Sequence, residues 1–401
     1  MKSPLILSAL CLCLVATLCK GDESNTDKIK ELEEQMATLQ KEKAVLAEEV
    51  ARRKTEASEA SEIATPSELI DKDGKINPRI SNAVLIIEGD LGVGTGFVAA
   101  VDGKKYLYTA AHVFSGNSKL TIKNTGGISF KKFGALEAAE GADLIRMEIL
   151  EEVKDFLEIY PADAELPINT PIAALGNGGG TGVVAVEKGR ILGTSADSLE
   201  VDAGIIQGNS GGPVVDRLSG RAVGVVTHLR AERKDVWSEG TRQAEVRRFA
   251  VRLNRSWKWK ATNIGSFLAE GKALAEFDEL TRLGFAMAQL EPLTNGMRLD
   301  QNIGGGSTAM EILQKNQANP LVRSLIQMNG ELAARKTSLS TAELKKKFRS
   351  LLGQVHSQAI RSNDAFKPQS FAWFHRSRSA VSVKARKECL DSLSHGLDAL
   401  K

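Results

Sequence analysis

The chain has 401 residues, 42% of them hydrophobic, enough for two or three domains with a sizeable core. A formal net charge of only +3 names no partner by itself. Cys11, Cys13 and Cys19 lie in the first 19 residues and leave Cys389 alone in the remainder, which excludes an intrachain disulfide framework once that segment is removed.

The N-terminus has the pattern of a secretory signal over residues 1–21. Lys2 supplies a short positive region, and an apolar run of about 14 residues follows from Leu5 to Leu18. That run is short for a membrane span, which takes about 20 residues. Cleavage after Gly21 fits the polar sequence that follows, and predicts an exported chain, periplasmic or secreted. Two alternatives stay open: lipidation at Cys19, where the bulky Leu18 is a poor fit, and an uncleaved anchor.

Residues 22–62 are acidic and predict a coiled-coil helix. Ile29, Leu32, Met36, Leu39, Lys43, Leu46 and Val50 are spaced alternately three and four apart. The spacing over 27–54 predicts a homo-oligomer, with β-branched Ile29 and Val50 leaning towards a dimer and Lys43 as a polar register point. A lone amphipathic helix is the alternative. Residues 63–79, broken by Pro66, Gly74 and Pro78, read as a linker.

From residue 80 to 255 short apolar runs alternate with glycine-rich turns, including Ala83–Ile87, Phe97–Val101, Tyr106–Ala110, Leu144–Ile149, Gly182–Val186, Pro213–Val215 and Ala222–Val226. This predicts an all-β sandwich or barrel. Residues 263–401 turn helical, with predicted helices at Ile264–Leu290, Thr308–Lys336, Thr341–Arg361 and Ala380–Leu400. Pro320 must begin or interrupt a helix, and Ser340 with Glu343 has the spacing of a capping box.

Gln207-Gly208-Asn209-Ser210-Gly211-Gly212-Pro213 frames a serine with small neighbours. They allow a tight turn and close approach of a substrate backbone, and can aim the Gly208 and Ser210 amides at one point as an oxyanion hole. Serine needs a base beside it, and Tyr108-Thr109-Ala110-Ala111-His112 presents a histidine at a strand end. Gly141-Ala142-Asp143-Leu144-Ile145 offers the carboxylate that would orient the imidazole. Asp155 and Asp163 also lie between His112 and Ser210, but neither heads an apolar strand. The order His, Asp, Ser differs from that of subtilisin-like and α/β-hydrolase enzymes.

On these motifs, with Gly94-Thr95-Gly96-Phe97-Val98 and Asp202-Ala203, residues 80–255 resemble the trypsin-like serine peptidases, and among them the bacterial Deg/HtrA-like branch. The resemblance implies an all-β double barrel with His112, Asp143 and Ser210 as a triad in the cleft. It also implies a protein or peptide substrate. The residue six before the nucleophile, Gly204, would lie at the base of the primary specificity pocket with Ile205 beside it. No carboxylate stands there in the sequence, so cleavage after small or medium apolar residues is expected. Thr227 and His228, on the strand after the nucleophile, are further candidate substrate contacts. Asn209 replaces the aspartate that pairs with a freed N-terminus in digestive enzymes, so no such activation is expected.

The resemblance ends before the helical region. Deg/HtrA enzymes usually carry PDZ domains there, and Leu283-Gly284-Phe285 only faintly resembles a PDZ loop within a continuous helical pattern. A separate helical module for docking or regulation, with an unknown partner, is expected instead. Gly92–Gly96 and Gly176–Gly182 lack the Lys-Ser/Thr of a phosphate loop and read as turns. His356, His375 and His395 have no metal-ligand spacing, and neither a metal nor a cofactor is expected. The alternative to an active protease is a catalytically quiet scaffold, or an envelope-binding protein acting through the basic helical tail. The basic stretches 221–260 and 345–387, with Trp257 and Trp259 among lysines, carry that alternative, while export argues against nucleic acid.

Overall fold

The computed structural model describes residues 69, 77–162, 164–231, 246–289, 308–333 and 341–400. The predicted signal peptide, the heptads of 27–54, Asp163 and Ser340 lie outside the described residues.

Asn77 caps the first helix, α1 (Pro78–Ala83), accepting the Arg79 N–H at 3.0 Å, and Pro78 stands where a missing N–H costs nothing. The β-branched and aromatic runs that follow form β1 (Val84–Gly89), β2 (Val93–Val101), β3 (Lys104–Thr109), β4 (Leu120–Asn124), β5 (Ser129–Phe130), β6 (Phe133–Ala139), β7 (Ile145–Ile149) and β8 (Leu157–Glu158). A one-turn helix, α2 (Ala111–Phe114), follows β3. With β15 (Trp259–Thr262), these strands make one sheet in the order β15-β6-β7-β3-β2-β1-β4-β5, β8 lying beside β2. In β7, Ile145, Met147 and Ile149 are buried while Arg146 and Glu148 are half-buried, the alternation of a strand with one face on a core.

The second β unit holds β9 (Pro171–Gly176), β10 (Ala185–Thr194), β11 (Ser198–Val201), β12 (Pro213–Asp216), β13 (Ala222–Ala231) and β14 (Val246–Arg252), closed into a barrel in the order β10-β11-β14-β13-β12-β9. Closure pairs every strand on both sides, though the end of β13 past Val225 pairs only with β14. One apolar cluster fills this barrel, with Ile172, Ile191, Leu199, Val214, Val223 and Ala250 at its centre. Another, including Phe97, Tyr108, Leu144, Leu175, Val225 and Val251, joins the barrel to the first sheet.

The first sheet extends past the predicted boundary at residue 255, because β15 lies beyond it and still pairs within that sheet. Trp259↔Ala139 through Thr262↔Leu136 pair β15 with β6. Lys258 and Lys260 bind Glu140 at 3.0 and 2.8 Å and hold its carboxyl down at about 2, Lys260 contributing most. Trp259 packs edge-on to Tyr108 at 6.0 Å and under the Arg146 guanidinium at 4.3 Å. Trp257 donates its indole N–H to the Arg252 carbonyl at 2.8 Å. Both tryptophans therefore cover the β core instead of forming an open stacking platform. A four-residue strand with no apolar alternation leaves no periodic signal.

The helices are α3 (Ile264–Ala288), α4 (Ala309–Lys315), α5 (Pro320–Ala333), α6 (Thr341–Ala365) and α7 (Trp373–Ala399). Pro320 opens α5. A capping box absent from the sequence expectations, Thr308 with Glu311, starts α4. Leu283, Met287, Leu313, Val322, Phe348, Leu352, Val355 and Leu393 form the helical core. Cys389 is buried within it, and burial pushes its thiol up to about 11, so it is an inert packing group. Arg386, fully buried, donates to the Thr281 hydroxyl and the Ala359 and Phe277 carbonyls.

The expectation of a separate helical module also needs correction. Phe267 of α3 and Phe374 of α7 belong to the same core cluster as Leu85, Phe114, Leu136 and Met147 of the first sheet. Helix α7 begins at Trp373, seven residues before the predicted Ala380, and those extra turns are the ones that reach the sheet.

Candidate active site

His112 sits in α2, one turn past the end of β3, so the histidine lies just beyond the strand end and not on it. Asp143 occupies the turn between β6 and β7. Its Oδ2 lies 2.6 Å from Nδ1 of His112, and its Oδ1 accepts the His112 backbone N–H at 2.9 Å. One carboxylate thus fixes both the ring and the main chain of the histidine, and a proton on Nδ1 leaves Nε2 as the acceptor facing the cleft. Both side chains are only partly covered, at 31% and 25% exposure, so the pair is open to a substrate. Asp155 is elsewhere, accepting from Asn82 at 3.0 Å.

Ser210 stands at the mouth of the barrel. Its hydroxyl donates to the Thr227 carbonyl at 3.4 Å and makes no hydrogen bond with His112. The loop before it is set by backbone chemistry. The Gln207 carbonyl accepts the Gly179 N–H at 2.8 Å. Because the trans peptide is planar, the Gly208 N–H on the same peptide points the opposite way. The Gly208 and Ser210 amides donate to no acceptor among the described residues, as an oxyanion hole requires. Gly208 has φ +98°, and a Cβ there would collide with the Asn177 carbonyl oxygen.

The residue that joins the two halves of the site is Thr95, on β2. It is fully buried, and its hydroxyl donates to the Gly208 carbonyl at 2.7 Å while accepting the Asn177 N–H at 2.9 Å. Its own N–H donates to the Ser210 carbonyl at 2.8 Å, and its carbonyl accepts the Thr109 hydroxyl at 2.7 Å. Two of these bonds hold the serine loop and a third holds Asn177 of the barrel, while the fourth ties Thr95 to β3 within the first sheet. Sequence reasoning quoted Thr95 within a glycine motif but assigned it no work. A threonine between two glycines just before the predicted run Phe97–Val101 was the available signal.

Ile205, Ile206, Gln207, Ser210, Val226, Thr227 and His228 line a cleft of about 240 Å³. Of the predicted substrate contacts, Ile205, Thr227 and His228 are thus brought to the serine and Gly204 is not. The Ile205 N–H donates to the Ala203 carbonyl at 2.7 Å, a tight turn that buries Ile205 and leaves Gly204 exposed. The Glu187 carboxylate of β10 lies against Gly204, so a carboxylate is near this position after all, outside the cleft lining. His228 stacks on Phe249 with ring centroids 4.9 Å apart. Asn209 is buried at 1% exposure beside Gly176 and Gly178, and its side-chain amide has no partner among the described residues.

A second cleft, of about 470 Å³, adjoins the first and is lined by His112, Asp143, Thr227, His228, Trp373, Phe374, Ser377 and Arg378. Helix α7 is anchored beside it by His375. This ring is fully buried, with Nδ1 3.0 Å from Glu270 Oε2 of α3 and Nε2 3.0 Å from the Ser115 hydroxyl next to α2. Burial pushes the His375 pKa below its usual 6.5, against the opposing hydrogen bond from Glu270. The neutral ring then donates from Nδ1 and accepts at Nε2. His356 meets Ser394 at 3.2 Å within the helical region. Among the described residues no cluster of three or more His, Cys, Asp or Glu side chains is arranged to hold a metal ion.

Residues 94–225 match the family model of the trypsin-like peptidase domain. Over 149 residues the chain is 33% identical to a probable periplasmic serine endoprotease, DegP-like, of Bartonella henselae, covering 35% of this chain and 28% of that one. It is 30% identical over 148 residues to a probable periplasmic serine protease, do/HhoA-like, of Haemophilus influenzae, covering 34% and 31% respectively. The chain therefore spans less than a third of the length of these curated relatives. Among solved structures it is similar to the HtrA-type protease AlgW with tripeptide, at 23% identity and TM-score 0.34 over 44% of this chain and 57% of that one. A serine endoprotease from Yersinia pestis is similar at 24% identity and TM-score 0.32, over 43% and 60%.

Proposed function

We propose, from the premise that residues 94–225 are a trypsin-like peptidase domain, that the chain is a serine endopeptidase of the Deg/HtrA kind that works after export, in the periplasm. The observation that carries the reading is the 2.6 Å contact of Asp143 with His112, in a cleft that adjoins the one lined by Ser210, whose loop carries two unclaimed backbone amides. Ser210 would turn its hydroxyl from the Thr227 carbonyl towards Nε2 of His112, a rotation between staggered wells of one bond. It would then attack the substrate carbonyl while His112 takes its proton and Asp143 stabilises the imidazolium. The Gly208 and Ser210 amides would hold the developing oxyanion, each worth about 3–4 kcal/mol in the transition state. His112 returns its proton to the leaving amine, and water then hydrolyses the acyl-enzyme by the same steps in reverse order.

Ile205, Ile206 and Val226 around the primary cleft favour a small or medium apolar residue on the acyl side of the cut bond. The half-buried Glu187 beside Gly204 is the group that would weaken this preference, by attracting a long basic side chain. Self-association through the heptads of 27–54 belongs to the same proposal and rests on the sequence pattern alone.

A fluorophosphonate probe tests the reading. Labelling of the folded protein, absent in Ser210→Ala and after heat denaturation, is the expected result. An unlabelled, folded protein would overturn it in favour of a binding scaffold. Peptide turnover in the Ser210→Ala variant should drop about 10⁶-fold.

A further inference from the structure

We propose that the first turns of α7 are a wall of the substrate cleft, and that Arg378 there selects peptides with an acidic side chain immediately before the residue held in the primary cleft. The proposal rests on the reading that this cleft binds a peptide.

The two clefts share Thr227 and His228 of β13. An extended peptide lying along that strand places successive residues in successive sites, so a residue seated against Ile205 and Val226 puts its predecessor into the larger cleft. The β unit supplies only one side of that space, from His112, Asp143, Thr227 and His228. The opposite side comes from Trp373, Phe374, Ser377 and Arg378, which are one, four and five residues apart and share one face of the helix.

That face cannot swing away freely. Phe374 is 5% exposed and packed with Phe267 and the first-sheet core, and His375 is clamped between Glu270 and Ser115. Arg378 stands one turn further on, exposed, with its guanidinium 5.0 Å from the Phe374 ring. It forms no ion pair with any described residue. Asp143, the carboxylate in the cleft, is already engaged twice by His112. The groups facing the space are therefore two imidazoles, one occupied carboxylate and one unpaired guanidinium. A substrate carboxylate is the complementary charge, and Arg can bind it through two parallel N–H bonds.

The test is equilibrium binding of fluorescent peptides to the full chain carrying Ser210→Ala, which needs no turnover. The peptides share valine at the primary position and carry Glu, Ala or Lys just before it. Glu should bind about fivefold tighter than Lys at low salt, the scale of an exposed ion pair, and the gap should shrink in 0.5 M NaCl. In the added background of Arg378→Glu the order should invert. Equal binding of the three peptides, an order that survives Arg378→Glu, or no binding up to millimolar peptide would each overturn the proposal. Failure of the protease reading is scored separately, by absence of fluorophosphonate labelling in the unaltered chain.

Discussion

The barrel of β9–β14 closes on itself and fills its interior with side chains from residues 166–250, whereas the β1–β7 sheet stays open and completes its core with Phe267 and Phe374 from the helices. The difference bears on chemistry, because Ser210 is carried by the closed unit and His112 and Asp143 by the open one. Among the described residues, the barrel's serine loop is hydrogen-bonded from outside the barrel only at Thr95 of β2. The open sheet positions its histidine only as well as the helices packed on it allow. In this chain the helical region is thus part of the scaffold that positions His112.

The largest effect tests the open sheet at its chemical end. Asp143→Asn keeps the shape of the side chain but favours the wrong imidazole tautomer, and kcat should fall about 10⁴-fold with little loss of stability. A fall of less than tenfold in peptide turnover would remove Asp143 from the site.

Phe374→Ala tests whether the sheet borrows its core. Deleting a buried ring should cost about 3–5 kcal/mol in denaturant unfolding. Amide exchange should rise in β1–β7 more than in β9–β14. Uniform acceleration across both units would show that the two do not differ in this way.

Thr95→Val leaves the fold but removes the hydroxyl that serves both Gly208 and Asn177. Leaving these buried groups unpaired should cost about 1–3 kcal/mol. Labelling of Ser210 should slow as well, since its loop loses its tie to β2. Unchanged labelling would place the alignment of the serine in the barrel alone.

The smallest effect is a pH dependence. The folded pKa of His375 is lowered, so below pH 6.5 the unfolded chain binds the proton more readily. The stability held by the neutral ring is complete above 6.5 and is lost as pH falls from 6.5 towards the lower folded value. The unfolding temperature should therefore drop between pH 7 and pH 5, and His375→Gln should flatten that drop. An identical slope in the variant would show that the clamp on α7 does not titrate.

The residues brought together at Ser210 were legible because nucleophilic chemistry restricts residue type strongly at short range. A serine among glycines, a histidine after an apolar strand and a carboxylate before another each carry a local reason. The short strands were legible too, since several are buried on both faces and read as continuous apolar runs bounded by turn residues. Gly204 was misplaced because one tight turn decides which of two neighbouring residues faces inwards. Trp259–Thr262 was missed because its pairing depends on a partner 120 residues away, with no periodicity of its own.

The sequence by itself determined the glycine-framed serine loop, the order of the candidate site residues and the helical character of the C-terminal region, since each follows from local backbone geometry and side-chain chemistry. Only the tertiary structure decided that Thr95 ties the halves of the site together, that His375 clamps α7 to the histidine-bearing turn and that Arg378 faces the cleft. These depend on contacts between residues up to 260 positions apart, and the pattern of either partner alone says nothing about where the other will lie.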